Sequence, residues 1–295
     1  MIGIFGPTAS GKSAVAEALA ACIPAELVSA DAMQVYRDLP VLTNQSTHPT
    51  RLVGIWDLGH EASVGEYATL AHAAIDEIRA AGRTPVVVGG TGLYLRAALA
   101  ELSLPPAPEA GARERLGELY DAEGPEAAHE RLVSLDPAAA RLVHRNDRRR
   151  VVRALELAEV GGSLAPRRNT LWAAETRHPT LIVGLDLPAA VLEPRIEART
   201  RAMFDAGVEE EVRRALAGPL SATARKTIGL DEVAALPRDE AIAALVVRTR
   251  RYAAYQRKWM RRIAGLVMVD ADRPPGEIAH DIVALARTRE RLSGR

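Results

Sequence analysis

The sequence predicts an α/β protein with a parallel sheet whose strands are joined by crossover helices. The apolar run at residues 2–5 precedes a glycine loop and an alanine-rich helical segment. A second apolar run ends at Asp31, and a β-branched run that ends at Gly89 and Gly90 is again followed by a helical pattern. Repetition of strand, turn and helix is typical of βαβ units, which build parallel sheets.

A proline-rich stretch interrupts this alternation. From Pro105 to Pro179 the pattern is mainly helical, with little β-branched clustering. Strand-like runs return at residues 180–187 and 265–272, each followed by helical segments. We therefore expect an α/β core formed by residues 1–104 and 180–295, with a helical insert at 105–179.

Bulk composition limits the classes of function. The 295 residues carry 38 basic and 38 acidic side chains, so no global field attracts nucleic acid or membrane. Cys22 is the single cysteine, which excludes an intramolecular disulfide and argues against a structural zinc site. No apolar run approaches the roughly 18 residues of a membrane span. Because the glycine loop follows the N-terminus directly, leaving no room for a signal peptide, we expect a cytoplasmic protein.

The first glycine turn has the pattern of a phosphate-binding loop. Gly6, Gly11, Lys12 and Ser13 match G-x-x-x-x-G-K-[ST], between a predicted strand and a predicted helix. Backbone N–H groups of such a loop form an anion-binding nest at a helix N-terminus. Lys12 adds a positive charge, and the Ser13 hydroxyl can bind Mg²⁺. The pattern predicts a polyphosphate or diphosphate ligand, without specifying a nucleotide.

Two further segments should reach the same edge of the sheet. Because the carboxyl ends of parallel strands face one crevice, Asp31 and Thr91 should converge on the glycine loop. Asp31 could bind Mg²⁺, accept a proton from a nucleophile, or cap a helix, and its sequence context does not choose. Thr91 lies among three glycines, which suit either close approach to a ligand or a tight turn.

Arginines concentrate in two helical segments of the second half, at residues 145–153 and 248–262. Aromatic residues interleave the second segment, and no acidic residue occurs between Val246 and Val269. Such clusters on a neutral chain fit contact with an RNA backbone and stacking on unpaired bases. The alternative is a solvated helix face with i,i+4 ion pairs, which fits the first segment better than the second.

Together these segments resemble a known family, the tRNA dimethylallyltransferases. The resemblance rests on GPTASGKS, SADAMQVYRDL, VVVGGTGLYLRAAL, RIEARTRAMFDAGVEEEVRRAL and VVRTRRYAAYQRKWMRRI, and spans most of Gly3 to Asp270. It implies a P-loop NTPase-like parallel-sheet core with helices on both faces and an inserted helical tRNA-binding domain. It also implies a monomeric enzyme that transfers the dimethylallyl group of dimethylallyl diphosphate to N6 of the adenosine just 3′ of the anticodon, in tRNAs reading codons that begin with U.

The resemblance further implies roles for matched residues. Asp31 accepts the N6 proton, and Thr91 hydrogen-bonds the diphosphate. Lys12 and Arg213 neutralise the leaving group, with Mg²⁺ on the Ser13 side. The implied diphosphate-binding residues are Gly6, Pro7, Thr8, Ala9, Ser10, Gly11, Lys12 and Ser13. The implied tRNA-binding residues are Asp31, Ala32, Met33, Gln34, Tyr36, Thr91, Arg149, Arg150, Arg153, Lys226, Arg251 and Lys258, with Val35 beside Gln34 and Tyr36 in the nucleotide pocket.

This chain departs from the family pattern at two places. Ala32 stands where the family has serine in its Asp-Ser-x-Gln motif, and the family's GTAKP stretch is replaced within residues 41–59. Both departures bear on substrate detail more than on the class of reaction. Three other functions stay open: a small-molecule or nucleoside kinase, an adenylate isopentenyltransferase, and an RNA-binding P-loop module without catalysis.

Overall fold

The computed structural model describes residues 1–102, 109, 111–165, 171 and 173–293. The chain divides into two compact units, one formed by Met1–Glu101 with Leu171–Arg295 and the other by Leu102–Thr170. The sequence places the insert at 105–179; its predicted start, Pro105, lies outside the described residues. At the other end, the unit boundary precedes the predicted Pro179.

The first unit is built on a six-stranded sheet in which all named pairs are parallel. Its strands are β1 (Ile2–Phe5), β2 (Ala25–Ser29), β3 (Thr50–Arg51), β4 (Thr84–Gly89), β5 (Leu181–Asp186) and β6 (Leu266–Asp270). Their spatial order is β3-β2-β4-β1-β5-β6. Every residue of β1 is buried, as expected for a central strand between helical layers. The predicted parallel α/β class is confirmed, and the sequence patterns did not indicate the short strand β3.

Most helices belong to the first unit. They are α1 (Lys12–Cys22), α2 (Val64–Ala80), α3 (Gly92–Leu99), α7 (Ala189–Asp205), α8 (Val208–Leu216), α9 (Leu230–Ala235), α10 (Arg238–Met260) and α11 (Pro275–Ser293). Local chemistry explains their starts: Ser63 caps α2 by accepting the Glu66 N–H, 3.1 Å from its hydroxyl. None of the helices in the described part of the chain is both long and apolar enough to cross a bilayer.

The second unit contains α4 (Ala112–Leu135), α5 (Pro137–Ala140) and α6 (Arg148–Glu159). Gly124 interrupts α4 with a φ of 86° just before Pro125, so α4 is two helical pieces joined at a kink. Leu116, Leu132 and Leu155 belong to its apolar core. This unit therefore has a core of its own.

A candidate active-site cleft at the carboxyl end of the sheet

A cleft of about 400 Å³ lies where the strands of the first unit end. Its lining includes Lys12 and Ser13 of the glycine loop and Asp31 after β2. Gly89, at the end of β4, also lines it. The structure thus brings the segments after β1, β2 and β4 to one place, as strand topology predicts.

The glycine loop has the backbone conformation of an anion-binding nest. Ala9 and Gly11 have φ values of 63° and 86°, in the left-handed region. Gly11 begins α1 without a side-chain cap, and the first N–H groups of a helix have no intrahelical acceptors. Gly6 is required by packing, since a Cβ there would lie 2.8 Å from the Ser10 hydroxyl oxygen. The loop is therefore shaped to receive an anion.

Lys12 is a cation whose protonation is sensitive to the cleft. Its Nζ donates a hydrogen bond to the Pro7 carbonyl at 2.8 Å. Burial has the largest effect on the pKa of Lys12 and lowers it, the nearby Asp31 carboxylate raises it, and Arg199 lowers it; together they leave the pKa at about 8. A bound anion would favour the protonated amine. Lys12 can thus gain charge as an anionic ligand enters.

Asp31 and Thr91 are linked through the turn after β2. The Asp31 carboxylate accepts the Met33 N–H at 3.0 Å, which makes Asp31 the cap of a turn rather than of a helix. The Thr91 hydroxyl accepts the Ala32 N–H at 3.2 Å, so the turns after β2 and β4 are tied together. The Thr91 side chain also lies beside Tyr252 of α10. This network fixes the Asp31 carboxylate at the cleft.

The cleft arginines differ from the one that the resemblance indicated. Arg213 is not among the described residues that line the cleft. Its side chain on α8 is 72% exposed and forms an ion pair with Glu210. Val212 and Ala215 turn inward on α8, and Arg213 follows Val212 by about 100° around the helix, which directs it to solvent. The expectation that Arg213 meets the leaving group is therefore not supported by its placement.

Arg199 of α7 lies in the cleft instead. Arg195 and Arg199, one helical turn apart, both line it. Burial lowers the pKa of Arg199, while Asp31 raises it, and among the described residues its buried Nε has no hydrogen-bond partner. The i,i+4 arginines of RIEARTR were the available signal, but the sequence does not tell which helix face meets the cleft.

The altered segment 41–59 forms another wall of the cleft. Leu42, Thr43 and Asn44 line it. The buried Glu211 carboxylate accepts the N–H groups of Val41 and Leu42 at 2.8 and 2.7 Å, which holds this wall to α8. The replaced family motif thus falls on the cleft itself.

Comparison with known proteins decides the family. A family model described as IPP transferase matches residues 34–263, well over half of the chain. The chain belongs to the IPP transferase family.

Individual relatives match nearly the whole chain. A tRNA dimethylallyltransferase of Corynebacterium jeikeium is 38% identical in sequence, over 92% of each chain. One from an Anaeromyxobacter species is 41% identical, over 97% of this chain and 96% of its own. The crystal structure of a full-length tRNA isopentenylpyrophosphate transferase from Bacillus halodurans superimposes on this chain with a TM-score of 0.71. The two sequences are 30% identical, and the match covers 100% of this chain and 99% of that one. The predicted family and fold class are confirmed.

The nucleotide-pocket residues implied by the IPP transferase resemblance divide into two groups. Met33 and Gln34 line the cleft, and the Gln34 amide donates to the Thr43 and Asn44 carbonyls at 3.3 and 3.0 Å. Val35 and Tyr36 do not line it: they are 0% and 1% exposed. The Tyr36 hydroxyl donates to the Thr223 hydroxyl at 2.7 Å, so this ring is a core residue. Residues 32–35 form a turn, and the chain passes from the cleft into the core between Gln34 and Val35, which the motif alone did not reveal.

The basic residues expected to contact tRNA occupy both units. Arg149 and Arg150 are exposed at the start of α6, whereas Arg153 forms an ion pair with the buried Glu156 at 2.8 Å. In the first unit, Lys226, Arg251 and Lys258 are exposed. Arg153 therefore has an acidic partner within its own helix. The side chains of Arg149, Arg150, Lys226, Arg251 and Lys258 are exposed to solvent.

Other elements supply acidic partners to the second arginine cluster. Arg248 pairs with Glu232 of α9 at 2.6 Å, and Arg250 with Glu193 of α7 at 3.6 Å. The absence of acidic residues within the segment therefore did not mean that its arginines were unpaired. Arg248 and Arg250 thus link α10 to α9 and α7 by ion pairs.

The cleft offers hard oxygen donors to a divalent cation. The Ser13 hydroxyl and the Asp31 carboxylate both line it. Within the described parts of the chain, no group of three or more His, Cys, Asp or Glu side chains could hold a metal ion. Mg²⁺ is commonly held by one or two protein oxygens together with ligand phosphates, and this donor set fits that arrangement.

Proposed function

We propose that this protein transfers the dimethylallyl group of dimethylallyl diphosphate to N6 of the adenosine just 3′ of the anticodon, in tRNAs reading codons that begin with U. The observation that carries the proposal is the meeting of the anion-binding loop and Asp31 in one cleft. The membership in the IPP transferase family and the names of its relatives support the same reaction.

The cleft can serve both halves of such a transfer. The C1–O bond of the donor breaks and the N6–C1 bond forms, so charge develops on the departing diphosphate. Lys12, Arg199 and the first-turn N–H groups of α1 are placed to stabilise that charge. The adenine N6 loses a proton, and the Asp31 carboxylate would accept it.

The lining of the cleft supports an isoprenoid donor over a nucleoside triphosphate. Its apolar lining side chains include Leu42, Met203, Ile228 and Leu245. An apolar wall beside a phosphate loop suits a short hydrocarbon chain, whose burial is favourable. This favours the prenyl transfer over the kinase alternative.

Mg²⁺ is proposed as the cofactor, held by the Ser13 hydroxyl together with the diphosphate. When bound, it would neutralise part of the diphosphate charge. Lys12 and Arg199 would supply the remaining positive charge from the protein. We further propose that the enzyme is a cytoplasmic monomer.

Recognition of tRNA is proposed to use exposed basic side chains together with extrusion of the target base. An adenine in a stacked loop must leave the stack to reach the Asp31 carboxylate in the cleft. The free energy of unstacking is low in an anticodon loop, because the loop is already single-stranded. Exposed cations expected to contact the RNA backbone are Arg149, Arg150, Lys226, Arg251 and Lys258.

The test is mass spectrometry of an unmodified tRNA after incubation with the protein, dimethylallyl diphosphate and Mg²⁺. We expect a gain of one dimethylallyl group on the adenosine beside the anticodon. Transfer to AMP without transfer to tRNA would support an adenylate isopentenyltransferase instead. ATP consumption without tRNA would support a kinase, and RNA binding with none of these activities would support a non-catalytic module.

A further inference from the structure

A single buried amide joins the phosphate loop to the turn after β4. Gln256 is 2% exposed and lies on α10. Its Oε1 accepts the Thr8 N–H at 2.7 Å, and its Nε2 donates to the Gly90 carbonyl at 2.9 Å. Both ends of one side chain are therefore used to bridge two loops that meet the cleft.

The face of α10 that carries Gln256 is fitted to these loops. Burial raises the pKa of Tyr252, one turn earlier on α10, and the neighbouring side chains of Thr91 and Gln256 oppose that shift. A Cβ on Gly90 would overlap the Gln256 amide nitrogen, and one on Gly92 would overlap the Trp259 ring. Residues 252, 256 and 259 follow the i, i+4, i+7 spacing of one helix face. The glycines of this turn are thus explained by close approach of α10.

The bond to Thr8 acts on the conformation of the phosphate loop. Thr8 precedes Ala9, whose φ of 63° is unfavourable for a residue with a Cβ. A strained loop persists only when its surroundings hold it, and Gln256 holds the adjoining Thr8 N–H. That amide is already bonded within the protein, so the anion must be held by later amides of the loop.

We propose that Gln256 is a positioning residue that sets the phosphate loop and the Thr91 turn in register, so that a diphosphate on the loop lies beside Thr91 and Asp31. The use of this cleft to bind a diphosphate rests on the proposed function. The hydrogen bonds of Gln256 to Thr8 and Gly90 do not depend on that function. Gln256 has no direct part in the chemical step. Its loss should weaken anion binding by the loop and slow transfer.

The first test uses Gln256→Met, which keeps the length of the side chain and removes both hydrogen bonds. The probe is inorganic pyrophosphate with Mg²⁺, measured by calorimetry. We expect affinity to fall by about tenfold or more, since both hydrogen bonds of the Gln256 amide are lost. Tyr120→Phe is the matched control, because it removes a part-buried 2.8 Å hydrogen bond to the Arg145 carbonyl in the other unit. The control should bind pyrophosphate as wild type does.

A second variant separates positioning from general destabilisation. The ionised carboxylate of Gln256→Glu can accept from Thr8 but cannot donate to Gly90, whereas its protonated form can do both. Burial raises the pKa of a carboxyl group, so lowering the pH from about 8 to about 5.5 should restore most of its pyrophosphate affinity relative to wild type at each pH. The wild-type reference accounts for the other titratable side chains that line the cleft, which are Lys12, Glu17, Asp31, Arg195, Arg199 and Tyr252.

The outcomes are distinct from those of the transfer assay. A folded Gln256→Met protein with wild-type pyrophosphate affinity would overturn the positioning role, as would a Gln256→Glu protein whose relative affinity does not change with pH. If Gln256→Met does not fold, Gln256→Glu alone decides. Failure of the wild-type protein to prenylate tRNA would instead refute the proposed function, and the pyrophosphate measurements would still be readable.

Discussion

Replacing Arg199 by glutamine should remove most of the transfer activity, while the same change at Arg213 should not. Arg199 lies in the cleft with its Nε buried, and Arg213 is 72% exposed and paired with Glu210. Loss of one preorganised donor to developing negative charge typically costs about 10²–10³ in kcat, or roughly 3–4 kcal/mol. We expect a loss of that order for Arg199→Gln and less than about twofold for Arg213→Gln.

The measurement is single-turnover transfer to tRNA with saturating dimethylallyl diphosphate, together with thermal unfolding of both variants. Burial lowers the pKa of Arg199, so the folded protein disfavours this charge and its removal should not lower the melting temperature. A small effect at Arg199 with a large one at Arg213 would refute the placement of the cationic site on α7. A loss of activity that parallels unfolding would refute the electrostatic explanation.

Three further predictions concern the same cleft. Asp31→Ala should nearly abolish transfer and leave donor binding largely intact by calorimetry; loss of donor binding instead would mean that Asp31 serves the metal and not the adenine. Because burial lowers the pKa of Lys12 to about 8, pyrophosphate affinity should fall as the pH rises above about 8, with proton uptake on binding that Lys12→Arg removes. Uptake that persists in this variant would assign the proton to another group. Gly92→Ala should destabilise the protein by about 1–3 kcal/mol in chemical unfolding, since its Cβ would overlap the Trp259 ring, whereas Gly65→Ala, where a Cβ meets nothing within 4 Å, should not. Equal stability of the two variants would contradict the close approach of α10.

The corrections to the sequence-based expectations share one cause. Arg213 and Arg199 both lie in arginine-containing helical segments that resemble the family, and only packing of α7 and α8 decides which one meets the cleft. Tyr36 lies two residues after Gln34, yet it packs into the core through a partner at Thr223. The arginines of α10 find acidic partners on α7 and α9, which a search within their own segment could not reveal.

Local patterns, and the rule that parallel strands end at one edge of a sheet, were enough to predict the parallel α/β class and the convergence of the glycine loop with Asp31 and the turn after β4. The helix faces that complete the cleft could not be predicted in this way, because they depend on how the helices pack. Thr8 and Gln256 are 248 positions apart, and no local pattern relates them. Helical periodicity tells which residues share a face; what that face meets is settled by the packing of the whole unit.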